Sequence, residues 1–266
     1  MRATTLLLLL ICAGVPATAQ QAEREPLFSG ADAAFAAGFL AGTAALAPVD
    51  LYFAERLQDP RSQESRFLRH GATVFRVLGH PGALLAVTGT YAVGRLSDND
   101  GLADVGLHAA AALLVAEGAT YLGKTVAGRA RPHVDPENPF NFGLLRGWKD
   151  DYQSFPSGHT SAAFAVAAAL TSEAGSRRSD DQWWIGTLLY SSAALVGVSR
   201  MYNNEHWATD VVVGAALGTF AGWKVVRYTH TRRGNELDGL FLNLTIRPGH
   251  GMTLAVMPQA WSPLAH

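Results

Sequence analysis

Between residues 124 and 210, three short stretches of the 266-residue chain hold side chains suited to chemistry on an anion. KTVAGRARP, residues 124–132, sets Lys124 one to two helical turns before Arg131, with Arg129 as a spare cation. A residue before proline is pushed out of the helical region. This helix is therefore expected to end near Arg131, where both cations can converge on one anion. FPSGHTSAAFAV, residues 155–166, begins as a bent polar turn and ends as a small apolar helix. A helix N-terminus carries backbone N–H groups without partners and the positive end of the macrodipole. Ser157 can cap that helix or turn its hydroxyl toward a ligand, and Gly158 lets an anion approach the backbone closely. Together they make a phosphate-type site, to which His159 adds a group able to donate a proton near neutral pH.

The third stretch is SRMYNNEHWATD, residues 199–210. Asn203 or Asn204 is expected to cap a new helix holding both His206 and Asp210, which at a separation of four are neighbours on one face. A carboxylate so placed accepts one imidazole N–H, fixes the tautomer and leaves the other nitrogen as base or nucleophile. Arg200, in the same loop, offers a planar fork matched to phosphate oxygens. Glu205 is read as a first-turn helix residue. Taken singly, each stretch also fits a structural part: a capped helix, a His–Asp helix pair, a basic helix C-terminus satisfying the dipole.

Six segments rich in alanine and glycine are predicted to position these residues as closely packed helices: 30–47, 66–95, 102–127, 159–174, 182–200 and 206–227. The connection 132–155 carries Pro132, Pro136 and Pro139 with Phe140, Phe142, Trp148 and Tyr152; connections this long are often functional. Beyond Gly239 the apolar period changes to two, with Pro248-Gly249-His250-Gly251 as the turn of a C-terminal β-hairpin covering a helix face. The expected organisation is a signal peptide at 1–19, a helical domain at 20–238 and the hairpin at 239–266.

The signal rests on Arg2, an apolar run over 6–11 and the small residues Ala17-Thr18-Ala19. Its removal takes away Cys12, the single cysteine, and leaves 20 basic against 22 acidic residues. The mature chain thus has no disulfide or thiol chemistry, and no bulk basic field points to nucleic acid. The uncharged run 105–116 and the longer 182–199 both fall short of the roughly 20 apolar residues of a membrane span. With a mean hydropathy of +0.10, this predicts an exported, periplasmic helical domain, soluble or seated on the membrane.

The whole pattern, K-x6-R-P, then P-S-G-H, then S-R-x5-H-x3-D, resembles the type 2 phosphatidic acid phosphatase and vanadium haloperoxidase superfamily. The resemblance implies an all-α bundle with the active site at the ends of central helices. It makes His206 the nucleophile that forms a phosphohistidine, Asp210 the holder of its ring and His159 the acid that protonates the leaving oxygen. Lys124, Arg131, Ser157, the Gly158 backbone and Arg200 become phosphate-binding groups. Three cations supply the charge that a metal supplies elsewhere, so no metal and no cofactor is expected, and vanadate enters as an inhibitor that mimics the transition state. The implied reaction is hydrolysis of phosphomonoesters or diphosphates, with lipid phosphates such as phosphatidate or polyprenyl diphosphate foremost. The alternatives are a soluble acid phosphatase, a vanadate-dependent haloperoxidase and a non-catalytic lipid-binding membrane protein.

Overall fold

The computed structural model describes residues 28–176 and 182–231. Eight α-helices follow in order: α1 (Gly30–Leu46), α2 (Val49–Gln58), α3 (Pro60–Glu64), α4 (Arg66–Leu96), α5 (Asp100–Ala127), α6 (Gly158–Ser176), α7 (Gln182–Tyr202) and α8 (Ala208–Thr231). One 3-10 turn, Asp150–Tyr152, interrupts the connection between α5 and α6. The six expected helices are α1 and α4 to α8. The count of six is corrected by α2 and α3, which two prolines start. Pro48 stands at the N-cap of α2, and Pro60 opens α3 while the Asp59 side chain accepts from the Arg61 N–H. Proline at a helix start gives up no backbone bond, so these prolines punctuate helices. No strand occurs among the described residues. The predicted hairpin at 239–266 and the predicted signal at 1–19 lie outside them, and the hairpin is without support.

The centre is built from α5, α6 and α8, with α4 and α7 against them. The core side chains are small: Ala109, Ala112 and Leu113 of α5, Ala162, Val166 and Ala169 of α6, Val225 and Val226 of α8, and Ala83 and Val87 of α4. Small residues let backbones approach, and α8 uses this against α6 in register. A methyl group added at Gly214, Gly218 or Gly222 would lie 2.6, 2.2 or 2.5 Å from the backbone oxygens of Ser157, Ser161 and Ala165 respectively. That seam of glycines every fourth residue is the close-approach pattern of small residues on packed helices. It presses the first turns of α8 onto the first turns of α6. One turn earlier, the Ser157 N–H donates to the Asp210 carbonyl at 3.0 Å.

Helices α5 and α7 end, and α6 and α8 begin, at this same end of the bundle. Both α5 and α8 are long and apolar enough to cross a membrane. At 1.5 Å per residue they run about 42 and 36 Å, against a hydrocarbon core of about 30 Å. This corrects the weight given to unbroken apolar runs. In α5, Asp100, Asp104 and Lys124 sit toward the helix ends, and only Glu117 interrupts the middle.

Candidate active site

Helix α5 stops at Ala127, earlier than the position before Pro132 had suggested. Gly128 takes φ 52°, and its N–H closes on the Lys124 carbonyl. This left-handed conformation is cheap only for glycine, and a Cβ here would sit 2.0 Å from the Gly143 oxygen. The chain leaves the helix as a buried strip, Arg129 to Pro132. Ala130 and Arg131 donate their N–H groups to the carbonyls of Asn141 and Asp151, both at 2.9 Å, and Ser154 donates to that of Arg129 at 3.2 Å. The connection is thus tied onto itself, while Phe140, Leu144, Leu145 and Trp148 project from it as exposed apolar side chains.

His206 lies outside any helix, because α8 starts at Ala208. The expected cap at Asn203 or Asn204 is corrected: Asn204 takes φ 59° within the turn before α8. His206 is buried, and its Nδ1 lies 2.6 Å from the Ser154 carbonyl oxygen. Since a carbonyl only accepts, that contact puts the proton on Nδ1 and leaves Nε2 with the lone pair. The Asp210 carboxylate stands 3.7 Å from Nδ1. It accepts instead from Ser154 Oγ at 2.5 Å and from the Trp207 N–H at 2.8 Å. Asp210 therefore holds both sides of the turn that carries His206, as an acidic side chain in a first helical turn reaching back to a cap N–H. Burial pushes the His206 pKa down to about 3, against the pull of Asp210, so the ring is neutral at pH 7.

Arg129, the spare cation of the sequence reading, is the centre of a buried network. It is 2% exposed. Its guanidinium donates to Asp210 Oδ1 at 2.5 Å, Thr209 Oγ1 at 2.8 Å, Asp50 Oδ2 at 2.7 Å and the Pro139 carbonyl at 2.6 and 2.9 Å. Asp50 of α2 also accepts from the Thr209 N–H and hydroxyl, at 2.8 and 2.6 Å. The short helix missed in the sequence thus anchors the start of α8. The Asp50 position carries no motif that marks this.

Around His206 the other expected residues gather. A Cβ on Gly158 would lie 3.6 Å from Lys124 Cε; this is ordinary contact, so the glycine is not demanded by packing and leaves the start of α6 open beside the ammonium. Lys124 Nζ donates to the Gln153 carbonyl. Ser157 is fully buried, with its hydroxyl 2.9 Å from Thr160 Oγ1 in the helix it caps. His159 has Arg200, His206, His80 and Lys124 as charged or titratable neighbours. The His80 ring lies 5.9 Å from it between centroids, and His80 Nε2 stands 3.8 Å from Glu117 Oε1. No motif had marked His80 or Glu117.

Arg131 and Arg200 face a shared carboxylate. Arg131 pairs with Asp150 at 2.9 Å and with Glu205, whose same oxygen stands 3.8 Å from Arg200. Glu205 lies in the turn before α8, not in its first turn as expected. Arg200 sits in the last turn of α7, not in a loop. Its side chain is 7% exposed, its Nε has no hydrogen-bond partner, and Glu205 at 3.8 Å is beyond hydrogen-bonding distance. Buried polar groups generally find partners, so a buried guanidinium nitrogen left without one beside two further cations is a candidate place for anionic oxygens.

The chain is 43% identical over 83 residues to a lipid A 1-phosphatase of Porphyromonas gingivalis, covering 31% of this chain and 18% of that one. It is 35% identical over 99 residues to an undecaprenyl-diphosphatase of Sulfolobus acidocaldarius, covering 35% and 43%. It thus spans less than half the length of these relatives. A transmembrane PAP2 type phosphatidylglycerolphosphate phosphatase of Bacillus subtilis shares the fold, with a TM-score of 0.55 at 22% identity over 76% of this chain and 97% of that one. Residues 105–234, just under half of the chain and holding all three motifs, match the family described as PAP2 superfamily.

Proposed function

We propose that the protein is a membrane-embedded phosphatase that removes phosphate from phosphorylated lipids through a phosphohistidine on His206. The observation that carries the reading is the buried, unbonded guanidinium of Arg200 beside Lys124 and Arg131 and next to a neutral His206. Phosphoryl transfer needs an in-line nucleophile, a proton for the leaving oxygen and positive charge on the equatorial oxygens. Nε2 of His206 supplies the first. His159, near the start of α6 beside Arg200, His206 and Lys124, supplies the second. Lys124, Arg131, Arg200 and the N–H groups at the start of α6 supply the third. Three cations repel a dication, so the reaction runs without a metal, and vanadate inhibits as a transition-state mimic.

The apolar surroundings favour a lipid over a soluble ester. Phe140, Leu144, Leu145 and Trp148 are exposed at the site end, and Trp183 and Trp184, stacked at 3.8 Å, are exposed at the other end of α7. Aromatic side chains at both ends of an apolar bundle fit two membrane–water interfaces, with the site at one of them. The relatives' names point to lipid A and undecaprenyl diphosphate as the substrates to test first. The purified chain in detergent is expected to release phosphate from these lipids in the presence of EDTA, and far more slowly from p-nitrophenyl phosphate. A preference for the soluble ester would refute the lipid assignment, and activity in His206→Ala would refute the nucleophile. The export reading predicts that mature protein begins near Gln20; an intact Met1 would refute it.

A further inference from the structure

At the end of the bundle away from the anion site, three more side chains converge. Glu173 of α6 is 1% exposed. One of its oxygens, Oε1, lies 2.6 Å from His108 Nδ1 of α5 and 2.9 Å from His230 Nε2 of α8. The two rings stand edge to face with centroids 5.6 Å apart. The three ligand atoms all lie within 4.8 Å of one another, and this is the one such group among the described residues. Glu173 is 15 residues along α6 from Gly158, so about 22 Å from the phosphate site.

We propose that His108, Glu173 and His230 form a binding site for a divalent first-row transition ion of the zinc class. Two imidazole nitrogens and one carboxylate oxygen are the donor set such ions take from three protein ligands, with water completing the tetrahedron. The oxygen-only preference of magnesium and calcium excludes those ions. Both nitrogens reach the same carboxylate oxygen, so the three donor atoms already lie together. Ligands about 2.0–2.2 Å from a tetrahedral ion stand about 3.3–3.5 Å apart, so to admit an ion the nitrogens draw back from Oε1 by under an ångström and the three atoms close up around it. The ion then replaces the hydrogens in those contacts, and the imidazole protons move to Nε2 of His108 and Nδ1 of His230. His230 is 42% exposed at its side chain, which gives the ion an entry path and its water. The ligands come from α5, α6 and α8, the helices that carry Lys124, His159 and Asp210, so the ion clamps the far end of the bundle whose near end does the chemistry. It takes no part in that chemistry.

The test is zinc alone, titrated calorimetrically into the full-length, untagged chain in detergent after EDTA treatment and dialysis. One Zn²⁺ per chain is expected, with a raised Tm. Binding should weaken about a hundredfold in His230→Gln, an exposed substitution that spares folding, and in Glu173→Gln. Phosphate release should be the same with and without zinc. Absence of zinc binding in the wild type would overturn the site, as would binding of equal affinity in both variants. Either failure leaves the phosphatase reading untouched, because that reading rests on other residues at the other end of the bundle.

Discussion

Replacing Arg129 by methionine separates a scaffold cation from a substrate-binding one. The guanidinium is the shared partner of Asp50 and Asp210, both fully buried. Breaking a buried ion pair by removing one partner typically costs about 3–5 kcal/mol. Two carboxylates lose a partner here, but neither is stripped. Asp50 keeps the Thr209 N–H and hydroxyl, and Asp210 keeps Ser154 Oγ and the Trp207 N–H. The loss therefore belongs in the lower part of that range, about 3–4 kcal/mol. A domain of this size moves by roughly 2–4 °C per kcal/mol, so the Tm should drop by about 6–16 °C. The turn carrying His206 hangs on the same network, so kcat should drop even at temperatures where the variant is folded, with KM for lipid phosphate nearly unchanged. Arg129→Lys should behave almost as badly, since a single ammonium cannot span two carboxylates and a carbonyl. Thermal melts and steady-state kinetics on the two variants test this. A Tm within about 2 °C of wild type together with a raised KM would refute the scaffold role and place Arg129 on the substrate.

The remaining expectations follow from the proposed chemistry. Arg200→Lys should lose about 10²–10³ in turnover, because a point charge does not reproduce the forked donor; near-wild-type rates would remove Arg200 from the transferring group. His206→Ala should be inactive on every ester, whereas His159→Ala should lose about 10²–10⁴ on an alkyl phosphate but far less on p-nitrophenyl phosphate, whose leaving group needs no proton; equal losses would make His159 a binding residue. Glu205→Gln should bind inorganic phosphate more tightly, seen as stronger product inhibition, because the anion no longer competes with a carboxylate for Arg131 and Arg200; unchanged inhibition would place the product elsewhere. The folded-state pKa of His206 lies below its ordinary value of 6.5, at about 3, so the unfolded chain binds the extra proton between those values and stability declines as pH is lowered through that window. His206→Gln should flatten that decline in Tm, and an unchanged slope would show that other groups cause it.

The residues proposed to bind the anion stood out because each motif carries its own local chemistry: a proline after Arg131, a glycine before His159, a fixed spacing from Arg200 to Asp210. The support beneath them was not. The group that orients His206 is the backbone carbonyl of Ser154, and a carbonyl is present at every position, so no sequence pattern singles it out. Asp50 reaches Thr209 across 159 residues of chain, a pairing that only the folded bundle creates. Arg129 looked dispensable because two other cations flanked it; burial, not charge, distinguishes it. Helix positions were readable from alanine and glycine content, yet α2 and α3 were hidden by the prolines that start them. The turn before α8 was misread because asparagines suggest caps, although Asn204 adopts a left-handed turn. The span-length apolar character of α5 was underread for a related reason: interrupting charges were weighed by number, while in α5 most of them fall toward the ends.

Under the proposed function, the exposed rim of Phe140, Leu144, Leu145 and Trp148 would change what substrate concentration means for this protein. On the proposed lipid reading, with those side chains in the interface, a lipid would not leave the bilayer to reach His206; it would arrive by diffusing sideways until its headgroup passed over the start of α6. The encounter is then two-dimensional, and the rate follows the lipid's mole fraction in the surface, not its amount per volume. Adding inert detergent at constant substrate should slow the reaction by dilution within the surface. The same total lipid in half the detergent should be turned over faster, with no change in any residue of the site.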